Sequence, residues 1–190
     1  MRKTFNFTVT VLGSGTSTGI PVIGCYCSVC KSNKTKNKRT RSSIAITTHE
    51  GLSFVIDTTP EFRLQLLKVH ADHCMGFDDL RVFNFHKSTP LFCGVGKEHY
   101  KAFKEKFSYV FKDTKYRGSK PKVNLFIIDT IKKFDVLGLE VEAMEFPHGE
   151  TVSYGFKINN FAYVTDFKAF DDKQIQRWQN KIDVMIASGI

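Results

Sequence analysis

Three side chains that can ligate a metal ion lie within four positions of one another in this sequence. His70, Asp72 and His73 occupy the segment Val-His-Ala-Asp-His. A histidine and a carboxylate separated by one residue can reach one side of a turn, and the adjacent histidine can point to the other side, so this turn could hold two cations. The same residues would also suit a helix start, with Asp72 near the positive end of the helix dipole and both histidines in solvent.

A second group of candidate ligands is a cluster of cysteines in a polar loop. Cys25, Cys27 and Cys30 fall within six residues. Three thiolates at this spacing suit a tetrahedral structural zinc ion, which needs a fourth ligand from elsewhere. The alternative is a set of buried thiols without metal, although a polar turn is a poor place to bury them. Cys74 and Cys93 lie in apolar surroundings and are interpreted as core thiols.

Three more candidates stand near the ends of predicted strands. His148 follows a strand in the segment Phe-Pro-His-Gly, and Asp166 follows Tyr-Val-Thr at the end of another. Ligand-bearing loops are expected at strand ends, although a single His or Asp there is more often a turn residue. Asp57 also ends a predicted strand, where its carboxylate could orient a loop or a metal-bound histidine.

A segment rich in glycine and hydroxyl groups, residues 13–19, could bring backbone amides to a phosphate or a metal site. No lysine follows its last glycine and no helix follows directly, so it is neither a P-loop nor a dinucleotide-binding fingerprint. A tight turn between a strand and a loop is the simpler interpretation. The sequence assigns no phosphate-binding residue.

The elements that must position these residues are mostly strands. Alternation of apolar and polar residues from Thr4 to Val11 predicts a first strand and argues against an apolar signal sequence. A hairpin is predicted over 43–57, with His49 in its solvated turn. Further strands are predicted over 123–128, 139–146, 153–158, 161–165 and 184–187, and helices over 61–68, 76–85, 97–107 and 171–180.

Length and composition predict a single domain over residues 1–190. The chain is 42% hydrophobic, enough for a sizeable core, and its 18 phenylalanines favour packed sheets. The net charge of +9 suggests a polyanionic partner or a phosphate-bearing substrate, or simply a basic surface. The basic run over 31–41 is typical of a mobile loop. No apolar stretch is long enough to cross a bilayer, so we expect a cytoplasmic protein without membrane contact.

Taken together, these segments resemble the metallo-β-lactamase-fold hydrolases. The resemblance is greatest to the phosphodiesterase branch that includes the cyclic phosphodiesterase of the carbon–phosphorus lyase pathway and the tRNA 3′-processing endonucleases. It covers nearly the whole chain, and its segments follow in the family's order: Leu12–Ser17, the three cysteines, Arg41–Ser43, Asp57–Arg63, His70–His73, Gly76–Arg81, Pro147–Gly149 and Tyr163–Asp166. The cysteine cluster points to the cyclic phosphodiesterase type.

The resemblance implies a fold of the α+β or α/β class, a four-layer αββα sandwich that would be incomplete at its carboxyl-terminal end. It also implies two divalent metal ions, zinc or manganese, at the sandwich edge. His70 and His148 would serve the first metal, Asp72 and His73 the second, and Asp166 would bridge them. Asp72 would additionally act in catalysis, by accepting a proton from the attacking water or by orienting it.

The chain departs from the family pattern in three ways. Lys68 stands where the family has the first histidine of its metal motif, and an ammonium group has no lone pair for a metal at neutral pH. A segment that forms a buried strand in relatives is missing between Lys68 and Val69. The carboxyl-terminal end is also short, so the last metal histidine and the fourth ligand of the cysteine site are expected to be absent.

These observations give three functional hypotheses. The first is a metal-dependent phosphodiesterase acting on a small or cyclic phosphodiester. The alternative is a catalytically impaired, truncated relative that binds metal weakly, because affinity depends on ligand number and preformed geometry. An RNA-processing nuclease ranks third and is motivated by the basic run. Nucleic acid is therefore a less favoured partner than a small phosphodiester, and a homodimer is compatible with the family.

Overall fold

A computed structural model of the chain describes residues 6–61, 80–81, 84, 90–112 and 120–189. The chain divides into two compact units, Met1–Leu91 with Arg117–Lys122, and Phe92–Tyr116 with Val123–Ile190. The first unit contains a three-stranded sheet, and the second contains a five-stranded sheet.

The sheet of the first unit is an antiparallel meander. Its strands are β1 (Phe7–Gly13), β2 (Ser43–Thr48) and β3 (Ser53–Ile56), in the order β1-β2-β3. Ile44 and Ile46 of the central strand are fully buried. The predicted hairpin over 43–57 is therefore confirmed, and His49 lies exposed in its turn.

The first strand carries a bulge that the alternating pattern did not predict. Val11 pairs with Ile44 but Gly13 pairs with Ser43, so Leu12 is an extra residue on β1. An extra residue reverses which side chains face the core from that point onward. Leu12 is accordingly buried, whereas Val11 is 52% exposed. The predicted first strand is confirmed over Phe7–Gly13, with Val11 exposed beside the bulge.

The second unit is built on a five-stranded sheet with the order β10-β9-β8-β7-β6. β10 runs parallel to β9, and the other pairs are antiparallel. The strands are β6 (Phe134–Val136), β7 (Leu139–His148), β8 (Thr151–Ile158), β9 (Phe161–Phe167) and β10 (Val184–Gly189). A separate two-stranded sheet pairs β4 (Leu91–Gly96) with β5 (Val123–Ile128).

Most predicted strands of the second unit are confirmed, and β4 and β6 were missed. β6 has only three residues, too few for a periodic signal. β4 contains Gly94 and Gly96, which lower its apparent strand propensity. Gly96 is required there, because a Cβ at this position would lie 2.2 Å from the ring of Tyr154.

Phe146 of β7 is the centre of the apolar core of the second unit. Its side chain is fully buried with Met144, Ala162, Val164 and Trp178. Its ring centroid lies 5.0 Å from that of Phe170 and 6.4 Å from that of Trp178, in edge-to-face arrangements. This packing fixes the strand on which His148 is the last residue.

Three described helices complete the second unit: α1 (Lys97–Lys106), α2 (Ser108–Phe111) and α3 (Asp172–Trp178). Asp171 caps α3 in a reciprocal pair of hydrogen bonds with Gln174. The side-chain Nε2 of Gln174 also donates to the Glu145 carbonyl at 2.6 Å. The helices predicted over 97–107 and 171–180 are confirmed, the second with shorter bounds. Those predicted over 61–68 and 76–85 fall largely outside the described residues.

A buried ionic network joins α3 to the sheet. Glu142 Oε1 accepts hydrogen bonds from Arg177 Nε at 2.5 Å and from Trp178 Nε1 at 3.1 Å, and Lys157 Nζ lies 3.6 Å from Glu142 Oε2. Burial works to raise the pKa of this carboxyl, but the bonds from Arg177 and Trp178 outweigh it and the pKa is lowered. The network therefore holds a charged carboxylate inside the fold.

Candidate metal sites

His148 presents a buried nitrogen at the end of β7. The prediction placed this residue in a loop, but the structure places it in the strand, where it pairs with Thr151 of β8. Its Nδ1 atom is buried and, among the described residues, has no hydrogen-bond partner. Buried imidazole nitrogens without partners are unfavourable. The position therefore fits a histidine that binds a metal ion through Nδ1.

Asp166 lies within β9 and not after its end. Thr165 pairs with Ser188 and Phe167 pairs with Gly189, so Asp166 is the extra residue of a bulge, and its φ is +55°. Bulges of this kind re-aim side chains and are common next to active sites. The carboxylate is exposed and makes no hydrogen bond or ion pair within the described part of the chain. Its backbone carbonyl accepts a hydrogen bond from the Ser153 hydroxyl at 3.0 Å.

The strand register places His148 and Asp166 at the same end of the five-stranded sheet. β8 lies between the two strands that carry them, with Thr151 beside His148 and Gly155 beside Val164. Two strand spacings separate their backbones by about 10 Å. A histidine and an aspartate side chain can together span that separation and converge on one metal site. Ser153, which sequence reasoning did not select, supports the bulge from the strand between them.

The other predicted catalytic ligands, His70, Asp72 and His73, lie outside the described residues, as does Lys68. Their assignment stays a prediction.

Asp57 follows β3 directly and has a φ of +67°. Aspartate is one of the few residues that tolerate this left-handed conformation, which is often found at functional sites. The strained backbone is compatible with the predicted role of Asp57 in orienting a neighbouring loop or ligand.

The glycine-rich segment is packed against residues 39–42. The Gly15 amide donates to the Thr40 carbonyl at 2.8 Å, and a Cβ on Gly15 would lie 2.9 Å from the carbonyl oxygens of Arg39 and Thr40. The close backbone approach explains this glycine and supports the interpretation as a tight turn.

Arg41 connects this segment to the chain beyond β3. Its Nε donates to the Ser17 carbonyl at 2.5 Å, and its Nη1 forms an ion pair with Glu61. The sequence identified both residues only as family motif positions, because an arginine and a glutamate twenty positions apart carry no pairing signal of their own.

The three cysteines of the first unit are brought together. The Sγ atoms of Cys25, Cys27 and Cys30 all lie within 4.8 Å of one another. In a tetrahedral zinc site with Zn–S bonds of about 2.3 Å, neighbouring sulfurs are about 3.8 Å apart. Cys27 is exposed, and the other two thiols are half-buried, so the alternative of three buried core thiols does not describe this loop. The donor set fits a zinc ion.

Backbone hydrogen bonding favours the thiolate form of Cys27 in this loop, whereas the pKa of Cys30 is raised, because burial and the neighbouring Cys25 and Cys27 outweigh the bond from the Val22 amide. The Cys30 amide points at Cys27 Sγ at 3.5 Å, and the Val22 amide at Cys30 Sγ at 3.4 Å. The bond from the Cys30 amide, followed by those from the Cys25 and Cys30 thiols, lowers the pKa of Cys27 to about 7. Within the described residues no His, Cys or carboxylate joins the three sulfurs as a fourth ligand.

Cys93 behaves differently from the cysteine loop. It is half-buried in β4, and burial raises the pKa of its thiol to about 11. The interpretation of Cys93 as a packed, unreactive thiol is therefore supported, while Cys74 falls outside the described residues.

No helix within the described ranges combines the length and apolarity needed to span a membrane.

Comparison with known proteins identifies the family. Residues 54–189 match the family described as the β-lactamase superfamily domain. A solved structure described as a new diphosphatase from the PhnP family is 30% identical, with a TM-score of 0.79, and the match covers 94% of this chain and 72% of that one.

Two more distant structures share the fold. Zinc-bound PqqB from Methylobacterium extorquens is 16% identical with a TM-score of 0.72, over 95% of this chain and 72% of that chain. The metallo-β-lactamase-fold protein YhfI from Bacillus subtilis is 13% identical with a TM-score of 0.59, over 94% of this chain and 70% of that chain.

A curated relative, an octanoyltransferase of Porphyromonas gingivalis, is 34% identical over 87% of this chain. The chain spans about 36% of the length of that relative. The predicted fold class is confirmed by the family match and the structural neighbours together. The chain belongs to the β-lactamase superfamily domain family, has the metallo-β-lactamase fold and is similar to a diphosphatase of the PhnP family.

Proposed function

We propose that this chain is a metal-dependent phosphodiesterase that acts on a small or cyclic phosphodiester. The observation that carries the proposal is the buried, unpartnered Nδ1 of His148, among the described residues, at the sheet end that also holds the bulged Asp166. A histidine whose Nδ1 atom is buried without a described hydrogen-bond partner fits a metal ligand better than a packing residue. The similarity to a PhnP-family diphosphatase supports a phosphorus-containing substrate.

The donor set suits two divalent cations, zinc or manganese. His70 and His148 would hold the first ion, Asp72 and His73 the second, and Asp166 both. Two such ions would lower the pKa of a shared water towards neutrality and stabilise charge on a phosphoryl oxygen. Asp72 would accept a proton from the water or fix its orientation. The bulge at Asp166 aims a carboxylate that has no other described partner.

A structural zinc ion at Cys25, Cys27 and Cys30 is the second part of the proposal. Their sulfurs are already close together, and the Cys30 amide stabilises the thiolate of Cys27 before any metal binds. Such an ion would fix the loop that follows the glycine-rich segment. Zinc content should therefore fall by about one ion per chain in Cys27→Ser, as measured by elemental analysis.

A catalytically impaired relative is the second candidate, and Lys68 favours it. By the resemblance, this lysine takes the place of a metal histidine and would remove one ligand, because an ammonium group has no lone pair for a metal. Weak metal binding and slow turnover would follow. An RNA-processing nuclease remains a third hypothesis that rests on the basic run over 31–41.

Hydrolysis of bis(p-nitrophenyl) phosphate and of a 2′,3′-cyclic nucleotide, with zinc or manganese supplied, tests the proposal. We expect turnover that a chelator abolishes. His148→Ala should lower kcat/KM by more than about a hundredfold, because even the outer partners of metal ligands contribute 10–100-fold. His49→Ala, which removes an exposed histidine from a hairpin turn, is the matched control and should leave kcat/KM unchanged.

Metal content separates the two main candidates. Two ions per chain at the catalytic site together with turnover support the phosphodiesterase. Fewer ions with no turnover of either ester support the impaired relative. Full activity in His148→Ala would contradict its assignment as a metal ligand.

A further inference from the structure

The second unit carries a basic and aromatic groove on α1, α2 and β5 that the proposed catalytic chemistry does not use. We propose that this groove binds single-stranded nucleic acid, with lysines on the phosphates and Tyr100 against a base. The inference goes beyond the proposed hydrolysis of a small ester and does not depend on it.

Positive charge is concentrated on these elements. The described residues 97–112 contain five lysines and two glutamates, a surplus of three positive charges. A surplus of this density on one part of the surface attracts polyanions and raises their local concentration.

The lysines of α1 are not neutralised by carboxylates in the part of the chain that the structure describes. Lys97, Lys101, Lys104 and Lys106 form no salt bridge with any described residue. Elsewhere in the same unit basic groups are paired, as Lys133 is with Glu140 at 2.7 Å. A face that leaves its cations without carboxylates is complementary to an anion from outside.

The charges line a shallow groove that is open to solvent. An open cavity of about 460 Å³ lies between α1 and α2, and its described lining includes Tyr100, Lys101, Lys104 and Lys112 together with Glu105. A neighbouring cavity of about 330 Å³ is lined by Tyr100 and Lys104 again and by Asn124 of β5. Each has room for roughly one nucleotide, since small-ligand pockets start at about 300 Å³.

Aromatic rings stand among the lysines, which favours nucleic acid over a simple polyanion. The Nζ atom of Lys104 lies 5.6 Å from the ring centroid of Tyr100 and 5.7 Å from that of Phe111. Single-stranded nucleic acids are bound by this combination of cationic grooves and stacking rings, largely without sequence preference. Inorganic polyphosphate would use the lysines but would gain nothing from the rings.

Fluorescence anisotropy with a labelled oligouridine of about 20 nucleotides tests the assignment, with RNA integrity checked on a gel. Lys101→Gln/Lys104→Gln should weaken binding about tenfold at low salt and reduce the slope of log K against log salt by about 1.4, since each lost phosphate contact on a single strand contributes about 0.7. The control Lys132→Gln/Lys173→Gln removes the same charge from exposed lysines elsewhere in the unit and should change binding less than twofold.

Tyr100→Ala distinguishes nucleic acid from other polyanions. It should weaken oligouridine binding severalfold and leave the binding of inorganic polyphosphate unchanged. Equal losses for both ligands would overturn the nucleic-acid assignment in favour of a plain anion site. An equal loss of oligouridine binding in the two double lysine variants, or no loss in Lys101→Gln/Lys104→Gln, would overturn the assignment of the groove itself. Circular dichroism of each variant checks that the fold is retained.

Discussion

The cysteine loop and the strand-end pair hold their candidate ligands in different ways. In the loop, three sulfurs within six residues come within 4.8 Å of one another, and the Cys30 amide lowers the pKa of Cys27. At the sheet end, His148 and Asp166 are brought to the same edge by the register of β7, β8 and β9. The first arrangement depends on turn chemistry, and the second depends on a buried core.

This difference determines what each site should tolerate. Substitutions in the core of the second unit should disturb the strand-end pair and leave the thiol chemistry of the loop unchanged. Substitutions in the loop should do the opposite. The following predictions test that separation, from the largest expected effect to the smallest.

Truncation of the central core side chain should have the largest effect. Phe146→Ala removes a fully buried ring that packs on Phe170 and Trp178. We expect a loss of about 3–5 kcal/mol in the free energy of unfolding, measured by urea denaturation. Phe92→Ala, at a side chain that is 78% exposed, is the matched control and should cost little.

The separation of the two sites predicts that Phe146→Ala, kept at a temperature where it is folded, retains the zinc content of the cysteine loop. A parallel loss of zinc and of stability would show that the loop depends on the sheet core.

Removal of the buried charge should have the next largest effect. Glu142→Gln leaves Arg177 and Lys157 without their carboxylate, which should destabilise the protein by about 3 kcal/mol. Glu140→Gln, on the same strand, breaks only the exposed pair with Lys133 and should cost less than about 1 kcal/mol. Equal costs would show that burial of the network contributes nothing.

The same network predicts a pH dependence. The pKa of Glu142 is lowered from its ordinary value of 4.5, so its contribution to stability is present above that value and is lost as pH falls through the lower, folded-state value. Urea denaturation between about pH 3 and 7 should show wild-type stability falling at the acid end. Glu142→Gln should lose less stability over the same acid range.

Thiol reactivity is the smallest effect and concerns the loop alone. In protein treated with a chelator, Cys27 should react with iodoacetamide with a midpoint near its pKa of about 7, because the thiolate is the nucleophile. Cys93, with a pKa of about 11, should react only in strongly alkaline solution. Mass spectrometry of the alkylated peptides measures both, and zinc should protect Cys27. Equal reactivity of the two thiols at neutral pH would contradict the role of the backbone amides.

What could be predicted from sequence follows the same division. The spacing of Cys25, Cys27 and Cys30 was sufficient to predict a thiol cluster, because the structure that forms it is local. His148 and Asp166 were predicted within a residue or two of their strand ends, because strand periodicity is also local. The bulge at Asp166 was not predicted, because it exists only in the pairing of β9 with β10.

Contacts between residues far apart in the chain could not be predicted from the sequence for a similar reason. Glu142 stands in a strand whose other residues are largely apolar, and nothing in β7 indicates that Arg177 and Trp178 will meet its carboxylate. The bulge at Leu12 likewise appears only when β1 is paired with β2. A periodic pattern predicts the existence of a strand, whereas its irregularities depend on the partner strand.

The close approach of backbone at Gly15 has a consequence for saturation mutagenesis. Any side chain there would press its first carbon against two carbonyl oxygens that belong to the chain's own backbone, so no rotamer can relieve the clash. Gly51 is different, because its restriction is a φ of +77° in open space, which asparagine tolerates. A library scored for folded protein should therefore retain only glycine at position 15 and accept asparagine at position 51.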